Sequence, residues 1–330
     1  MSEMNTPITN TEQQQFNDSA EDSGSREAAR CLEAFANNSG LAEIASLFGV
    51  AELPSDIAER LTVLQSLAAE HWDFRKGAER QVINWDNELL DQPDSEQWRT
   101  VFSAADKLGL VQSTEPANKT PDFLVILGGA NKAPLDRLHY GLEKTDDFGQ
   151  VAYLGSSRPL SDAEREKAKD YAPDAQTEFD LGCGAFETLL GARVVDEVIE
   201  VRNGDTWGMR LYEFEHNGET KHGFVLSTPQ IIGERRATTY DNYKFFADRA
   251  ELAASPEASV VAVTTGFYTQ GQGIPAVEEL TLPYGTRVET IGHDAAYSGV
   301  VRKPSQLLQE TKSAIDAAVR LLGAQGNTIK

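Results

Sequence analysis

The sequence predicts an α/β fold: a Rossmann-like, mostly parallel sheet preceded by a helical subdomain. Two observations predict the sheet. Short apolar runs end in glycines or small polar residues at 122–129, 150–158, 223–228, 259–266 and 286–294. This is the pattern of buried parallel strands, and amphipathic segments between the runs are typical of βαβ units. A third observation, apolar residues at three- and four-residue spacing from Glu27 to about Leu110, predicts the helices.

These patterns divide the chain of 330 residues into three regions. Residues 1–26 are polar and acidic, so we expect a disordered, mobile tail. Residues 27–118 are predicted to form the helical subdomain, and 119–330 the Rossmann-like domain. Within the latter, 192–222 contains an Asn217-Gly218 pair between alternating runs, which predicts an antiparallel hairpin inserted at one edge of the sheet.

Composition excludes several classes of function. The chain has 30 basic and 52 acidic side chains, a formal net charge of -22, and such a surface repels nucleic acids and anionic membranes. No apolar run is long enough to span a bilayer and no signal-peptide pattern begins the chain, so a cytoplasmic location is expected. The two cysteines and five histidines show no ligand spacing, and therefore neither a disulfide nor a metal site is predicted.

The predicted ligand site lies beyond the carboxyl ends of the strands, where open α/β sheets bind their ligands. The candidate binding residues share this position and suit an anion through N–H groups, hydroxyls or guanidinium groups. They are Gly128, Gly129 and Asn131 after the first strand, Ser156, Ser157 and Arg158 after the second, Arg236, Thr239 and Asn242 before a helix, and Thr265 and Tyr268 near the last but one strand.

Simpler roles compete with binding at several of these positions. The two glycines also suit a tight turn that requires positive φ, and Thr239 and Asn242 also suit a helix cap. Asp241 and Asp294 are the candidate catalytic bases. The adjacent pair His293 and Asp294 could act as acid and base, although a histidine at a strand end is more often a hydrogen-bonded structural residue.

No catalytic motif of the common hydrolases, P-loop NTPases or metalloproteases occurs. A second hypothesis starts from FDLGCGAFETLLG at 179–191, which resembles the glycine-rich motif of class I methyltransferases. Gly182 and Gly184 would then bind S-adenosylmethionine, with Glu200 accepting its ribose hydroxyls. The preceding residues make a poor strand, so the alternative is a helix start with Cys183 as a small buried group.

Four segments carry a resemblance to a known family. They are DFLVILGG at 122–129 with Arg137 downstream, YLGSSRPLSDAE at 153–164, TTYDN at 238–242 and VVAVTTGFY at 260–268. Together they resemble the DUF218 family, also called the ElyC/SanA/YdcF family, over roughly 120–300. The resemblance implies a Rossmann-like sheet, in some members a small helical subdomain, and a nucleotide-like ligand. Where the family has a His and then an Arg after the fourth strand, this chain has Tyr268, Thr269, Gln270 and Gln272.

The sequence therefore predicts binding of an anionic or nucleotide-like small molecule at the carboxyl edge of the sheet. A nucleotide or S-adenosylmethionine is the candidate cofactor, and no nucleic-acid partner is expected. Whether the protein acts on its ligand is left open, and the third hypothesis is a non-catalytic interaction or sensor module. The sequence does not predict an oligomeric state.

Overall fold

A computed structural model describes residues 10–75, 92–202, 205–229, 237–255, 257–299 and 302–328. The predicted α/β class is confirmed. The strands are β1 Phe123–Leu127, β2 Gln150–Ser156, β3 Arg193–Arg202, β4 Asp205–His216, β5 Glu219–Thr228, β6 Ser259–Thr265 and β7 Arg287–His293. The helices are α1 Asn10–Ala36, α2 Ser39–Leu47, α3 Ile57–His71, α4 Glu96–Lys107, α5 Ala133–Lys144, α6 Asp162–Ala168, α7 Glu178–Leu190, α8 Thr239–Arg249, α9 Thr269–Ala276, α10 Leu282–Tyr284, α11 Ala295–Ser298 and α12 Pro304–Thr328.

All seven strands form one sheet in the order β3-β4-β5-β2-β1-β6-β7. The five strands from β5 to β7 run parallel, whereas β3 and β4 pair antiparallel. From β1 the chain moves to β2 and β5 on one side, then crosses to β6 and β7 on the other. The direction of the connections therefore reverses between β1 and β6, which is the position where doubly wound sheets bind ligands.

The predicted hairpin is present at one edge of the sheet. Asn217 and Gly218 have φ angles of 53° and 80°, as a two-residue type I′ turn requires. Its second strand, β5, continues directly into the parallel part of the sheet. The outer strand β3 carries the exposed large apolar side chains of the described residues, Val194, Val195 and Ile199. The register shifts between Val194 and Asp196, and such a bulge makes an edge strand a poorer template for further pairing.

Apolar cores cover both faces of the sheet. On one face α5 and α7 bury residues such as Leu138, Phe186 and Val225, and on the other α8 buries Tyr243 and Phe246. The strands β1, β2 and β6 are buried along almost their whole length, since helices cover them on both sides. This double burial explains why their sequences read as continuous apolar runs.

The N-terminal helices α1 to α4 pack with α9 and α12 in a third core, to which Trp72 and Leu308 belong. Helix α1 begins at Asn10, which differs from the mobile tail predicted for residues 1–26. A Cβ atom on Gly24 would clash with the carbonyl oxygen of Thr281. The helix is thus held here by a close backbone approach, which a search for large apolar side chains misses. Residues 76–91 of the predicted helical subdomain lie outside the described residues.

Among the helices that the structure describes, none has both the length and the apolar composition needed to cross a bilayer.

Candidate functional site

The carboxyl ends of the five parallel strands meet at one edge of the sheet. This edge brings together Gly128 after β1, Ser156 at the end of β2, Thr228 at the end of β5, Thr265 at the end of β6 and His293 at the end of β7. Most of the residues predicted from the sequence therefore do lie along one edge. Their contacts, however, assign them different roles.

Arg137 on α5 lies where the connections between strands reverse direction, and it is only 2% exposed. Its guanidinium group donates to the carbonyl oxygens of Leu127, at 2.8 Å, and Gly128. It also donates from Nη2 to the Thr265 hydroxyl at 3.2 Å. The Tyr268 ring lies 5.9 Å from the guanidinium carbon. Arg137 thus joins the ends of β1 and β6.

The helices that follow β1 and β6 begin without a side-chain cap. At α5 the N-cap residue is Lys132, which makes no capping hydrogen bond. After β6, a 3₁₀ turn at Gly266–Tyr268 leads into α9, and neither segment has a side-chain cap. By contrast, Ser161, Thr177, Thr238 and Asp294 cap α6, α7, α8 and α11. At α5 the Ala133 N–H donates to the Ala130 carbonyl oxygen and Pro134 has no N–H, and at α9 the Thr269 N–H donates to the Gly266 carbonyl oxygen. What this edge offers an anion is therefore the positive end of each helix dipole rather than a row of free N–H groups.

Gly128 and Gly129 are explained by close packing, because neither has a positive φ. The Gly128 N–H donates to the Leu154 carbonyl oxygen at 2.8 Å, and a Cβ atom there would lie 2.5 Å from the same oxygen. A Cβ atom on Gly129 would lie 3.2 Å from Nη1 of Arg137. Neither the tight turn nor a free N–H at Gly128 is therefore present. Asn131 does adopt positive φ, at 57°, and accepts a hydrogen bond from the Tyr171 hydroxyl.

Arg158, predicted to bind an anion, instead forms a buried ion pair with Glu164 through two hydrogen bonds of 3.1 and 3.2 Å. Burial alone would raise the pKa of Glu164, but hydrogen bonds from Arg158 and Ser161 outweigh it and lower that pKa. Arg158 is thus engaged in holding the start of α6. The neighbouring Ser157 is half-buried.

Ser156 donates from its hydroxyl to Glu178 Oε2 at 2.6 Å. Glu178 occupies the first position of α7, and its carboxylate also lies against Gly128. Glu178 was not among the residues predicted from the sequence, where its only signal is its place just after the N-cap of a helix. A carboxylate at this edge opposes the binding of anions.

The TTYDN turn is a helix start. Thr238 and Asp241 form a capping box, in which Asp241 Oδ2 accepts from the Thr238 N–H and hydroxyl at 2.7 Å each. Thr239 is the half-buried first residue of α8. Asp294 likewise caps α11 by accepting from the Tyr297 N–H at 3.0 Å. Both carboxylates predicted as catalytic bases therefore act as caps. Arg236 lies outside the described residues.

His293 is 1% exposed and does not contact the Asp294 carboxylate. Its Nδ1 lies 3.2 Å from the Asp294 carbonyl oxygen, and its Nε2 lies 3.4 Å from the Thr265 hydroxyl. Burial lowers the pKa of His293, and the charges of Arg137 and Arg302 lower it further. The imidazole is therefore a neutral, buried group that lies beside the Thr265 hydroxyl.

A second guanidinium group, that of Arg302, lies 4.0 Å from the centre of the Phe267 ring. Burial lowers its pKa, an effect that the Glu310 carboxylate opposes. Within the described ranges no carboxylate is close enough to Arg302 for an ion pair. Because Glu310 is itself paired with Arg75, Arg302 contributes positive charge beside His293.

The segment after α4 closes the edge over β6 and β7. Thr114 exchanges two hydrogen bonds with Gly292, and the Ser113 hydroxyl accepts from the Asp294 N–H. The Gln270 side chain donates to the Leu108 carbonyl oxygen. The N-terminal helices therefore form one wall of the candidate site.

An open cavity of about 380 Å³ lies at the opposite, amino edge of the sheet. Its two carboxylates already have partners in the chain. Asp122 accepts from the Ser259 N–H and hydroxyl, and Glu289 accepts from two backbone N–H groups. The carboxyl edge is the stronger candidate for a binding site, because Arg137 and Lys132 lie there beside helix starts that have no side-chain cap.

The glycine-rich segment of the methyltransferase hypothesis does not form a turn after a strand. Gly182 and Gly184 lie inside α7, and a Cβ atom on Gly182 would clash with the Tyr153 ring. These glycines thus allow α7 to approach the sheet. Cys183 is buried, and burial raises its pKa to about 11, as expected for the small buried group of the alternative explanation.

The strand order and the position of the reversal define a Rossmann-like α/β protein with N-terminal helices. A family model described as the Rv3785 N-terminal domain matches residues 19–109. The chain is 27% identical to a Mycobacterium tuberculosis protein named uncharacterized protein Rv3785, over 88% of each chain. The Mycobacterium bovis protein named uncharacterized protein Mb3814 matches with the same identity and coverage. No solved structure matches.

These matches contradict the resemblance to the DUF218 family, which is wrong. The reason is physical. Apolar strands that end in glycine are common to parallel sheets in general, and the TTYDN segment serves as a capping box. The motifs behind the resemblance thus reflect local folding requirements that unrelated families share.

Proposed function

We propose that this protein binds an anionic, nucleotide-like small molecule at the carboxyl edge of its sheet, between the ends of β1 and β6. The observation that carries the proposal is the pair of uncapped helix starts at this position. Helix α5 and the 3₁₀ turn that leads into α9 follow the two strands that flank the reversal, and neither start has a side-chain cap, so the positive ends of two helix dipoles lie at this edge.

Local charge supports the same location. The whole chain has a formal net charge of -22, so an anion can bind only where positive groups are concentrated. Arg137 lies between the two strand ends, Arg302 lies beside His293, and Lys132 stands at the start of α5. A phosphate group suits this arrangement, because it accepts several hydrogen bonds at once.

The proposal concerns binding. Of the three residues predicted to act as acid or base, Asp241 and Asp294 are helix caps and His293 is a buried neutral imidazole. A protein that senses an anion, with the N-terminal helices as one wall of the site, fits these roles. S-adenosylmethionine is not part of the proposal, since the glycine-rich segment lies within α7.

The test is a thermal-shift screen followed by calorimetry with inorganic phosphate, pyrophosphate and nucleoside monophosphates. A ligand present at 100 times its Kd stabilises the native state by about 2.7 kcal/mol, which is readily detected. The informative variant is Lys132→Asp, which places a carboxylate at the start of α5, where it caps the helix and repels anions.

Lys132→Gln is the matched control, because it removes the lysine charge without adding a cap. We expect Lys132→Asp to abolish phosphate binding and Lys132→Gln to weaken it only modestly. An absence of any shift across the screen would overturn the proposal. Equal binding by wild type and Lys132→Asp would place the anion elsewhere and overturn it as well.

A further inference from the structure

Three enclosed polar atoms at the carboxyl edge have no hydrogen-bond partner among the residues that the structure describes. They are Thr228 Oγ1, Asn242 Oδ1 and Tyr243 Oη. Thr228 is 1% exposed and Tyr243 is 0% exposed. All three come from one corner of the fold, because Thr228 ends β5 and the other two lie in the first turns of the next helix, α8.

Such a cluster calls for an explanation. Buried polar groups are almost always hydrogen-bonded, since an unsatisfied one loses its interaction with water without compensation. Each of these groups destabilises the folded chain on its own. Their concentration where a strand of the parallel sheet ends is what the binding of a polar ligand at this corner would explain.

The chemistry of the three atoms restricts that partner. The hydroxyls of Thr228 and Tyr243 can donate or accept, but the side-chain oxygen of Asn242 can only accept. Fully ionised phosphate oxygens only accept, so they cannot satisfy Asn242 Oδ1. The partner must therefore carry a donor of its own, and a molecule with several hydroxyl groups supplies both donors and acceptors.

The corner lies within reach of the proposed anion site. Strands β5 and β1 are separated only by β2, so their ends are about 10 Å apart at normal strand spacing. The two places are also electrostatically connected. Burial raises the pKa of Tyr243, and the positive charge of Arg137 opposes this rise.

We propose that Thr228, Asn242 and Tyr243 hold the hydroxyl-bearing part of the ligand, so that the ligand class is a sugar phosphate rather than a bare anion. This inference rests on the proposed function, because the phosphate of the same molecule would occupy the edge between β1 and β6. The sugar would then extend across the end of β2 toward β5.

The experiment compares inorganic phosphate with ribose 5-phosphate by titration calorimetry. We expect wild type to bind ribose 5-phosphate at least tenfold more tightly than phosphate. Tyr243→Phe and Thr228→Val keep the shape of each side chain and remove the hydroxyl. Each should reduce ribose 5-phosphate affinity roughly fivefold to tenfold, the effect of losing one hydrogen bond, and leave phosphate affinity unchanged.

A second readout needs no ligand. Because these hydroxyls are unsatisfied, Tyr243→Phe and Thr228→Val should raise the Tm of the unliganded protein. The matched control is Tyr212→Phe, since Tyr212 is also 0% exposed but its hydroxyl donates to Glu187 Oε1 at 3.1 Å. That variant should lower the Tm and leave both affinities as they are.

The outcomes separate the two proposals. If phosphate binds but ribose 5-phosphate binds no more tightly, the sugar site is overturned and the anion site stands. The same holds if Tyr243→Phe and Thr228→Val leave the preference for ribose 5-phosphate intact. If neither compound binds, the proposed function itself fails, and the sugar site fails with it.

Discussion

The guanidinium group of Arg137 donates to the hydroxyl of Thr265, 128 residues later in the chain, at 3.2 Å. Both residues are buried, and the same guanidinium group also bonds the carbonyl oxygens that end β1. The two strand ends that flank the proposed anion site are therefore fixed relative to each other by one side chain. A site held in this way is formed before its ligand arrives, which lowers the entropic cost of binding.

Arg137→Lys should destabilise the protein and weaken anion binding together. Lysine cannot reach the Leu127 and Gly128 carbonyl oxygens and the Thr265 hydroxyl at the same time, so buried acceptors lose their donor. We expect a decrease of about 2 to 4 kcal/mol in the free energy of unfolding, measured by urea denaturation. Arg193→Lys, in an exposed ion pair with Glu213, should change stability little. Similar values for both variants would contradict the bridging role.

Gly182→Ala should cost the protein about 1 to 3 kcal/mol of unfolding free energy, because the added methyl group meets the Tyr153 ring and forces α7 away from the sheet. Gly323 on α12 offers the matched control, since a Cβ atom there meets nothing within 4 Å. Gly323→Ala should stabilise the protein by up to about 1 kcal/mol, the difference in helix propensity. If Gly182→Ala were as stable as wild type, the packing role of this glycine would be wrong.

The sequence was sufficient to predict the parallel strands and the hairpin at the edge of the sheet. Those features depend on local patterns, such as apolar runs and the Asn217-Gly218 pair, that physical chemistry restricts closely. The site was predicted less well. Threonine, aspartate and asparagine at the start of a helix serve equally as caps and as ligands, and at Thr238 and Asp241 the cap is what the structure shows.

The residues that the sequence could not assign act over long distances. Arg137 and Glu178 come from helices, and only the sheet topology brings their side chains to the same strand ends. The packing of α1 against α10 and α12 likewise joins the two ends of the chain. No local pattern contains such information.

The stability of the protein should depend on His293 below neutral pH. Burial lowers the folded-state pKa of this imidazole, so the unfolded chain binds its proton more readily. The stability contribution is therefore fully present above the unfolded pKa of about 6.5 and is lost as the pH falls toward the folded pKa. His293→Gln should reduce the decrease in unfolding free energy between pH 7.5 and pH 5.5, measured by urea denaturation. The control His222→Gln changes an exposed side chain and should leave the wild-type profile intact.

Glu178 should limit the affinity for anions. Its carboxylate accepts from the Ser156 hydroxyl and lies against Gly128, just beyond β1, where it repels a phosphate at the start of α5. Glu178→Gln keeps an acceptor for Ser156 and removes the charge. We expect phosphate to bind roughly fivefold more tightly to this variant, a change of about 1 kcal/mol for one partly screened charge. Calorimetry at low and high salt provides the check, because added salt should shrink the difference in phosphate affinity between the two proteins.

Glu166→Gln, on the exposed side of α6, should bind phosphate as wild type does. An equal gain in affinity there would show that net charge rather than position is responsible.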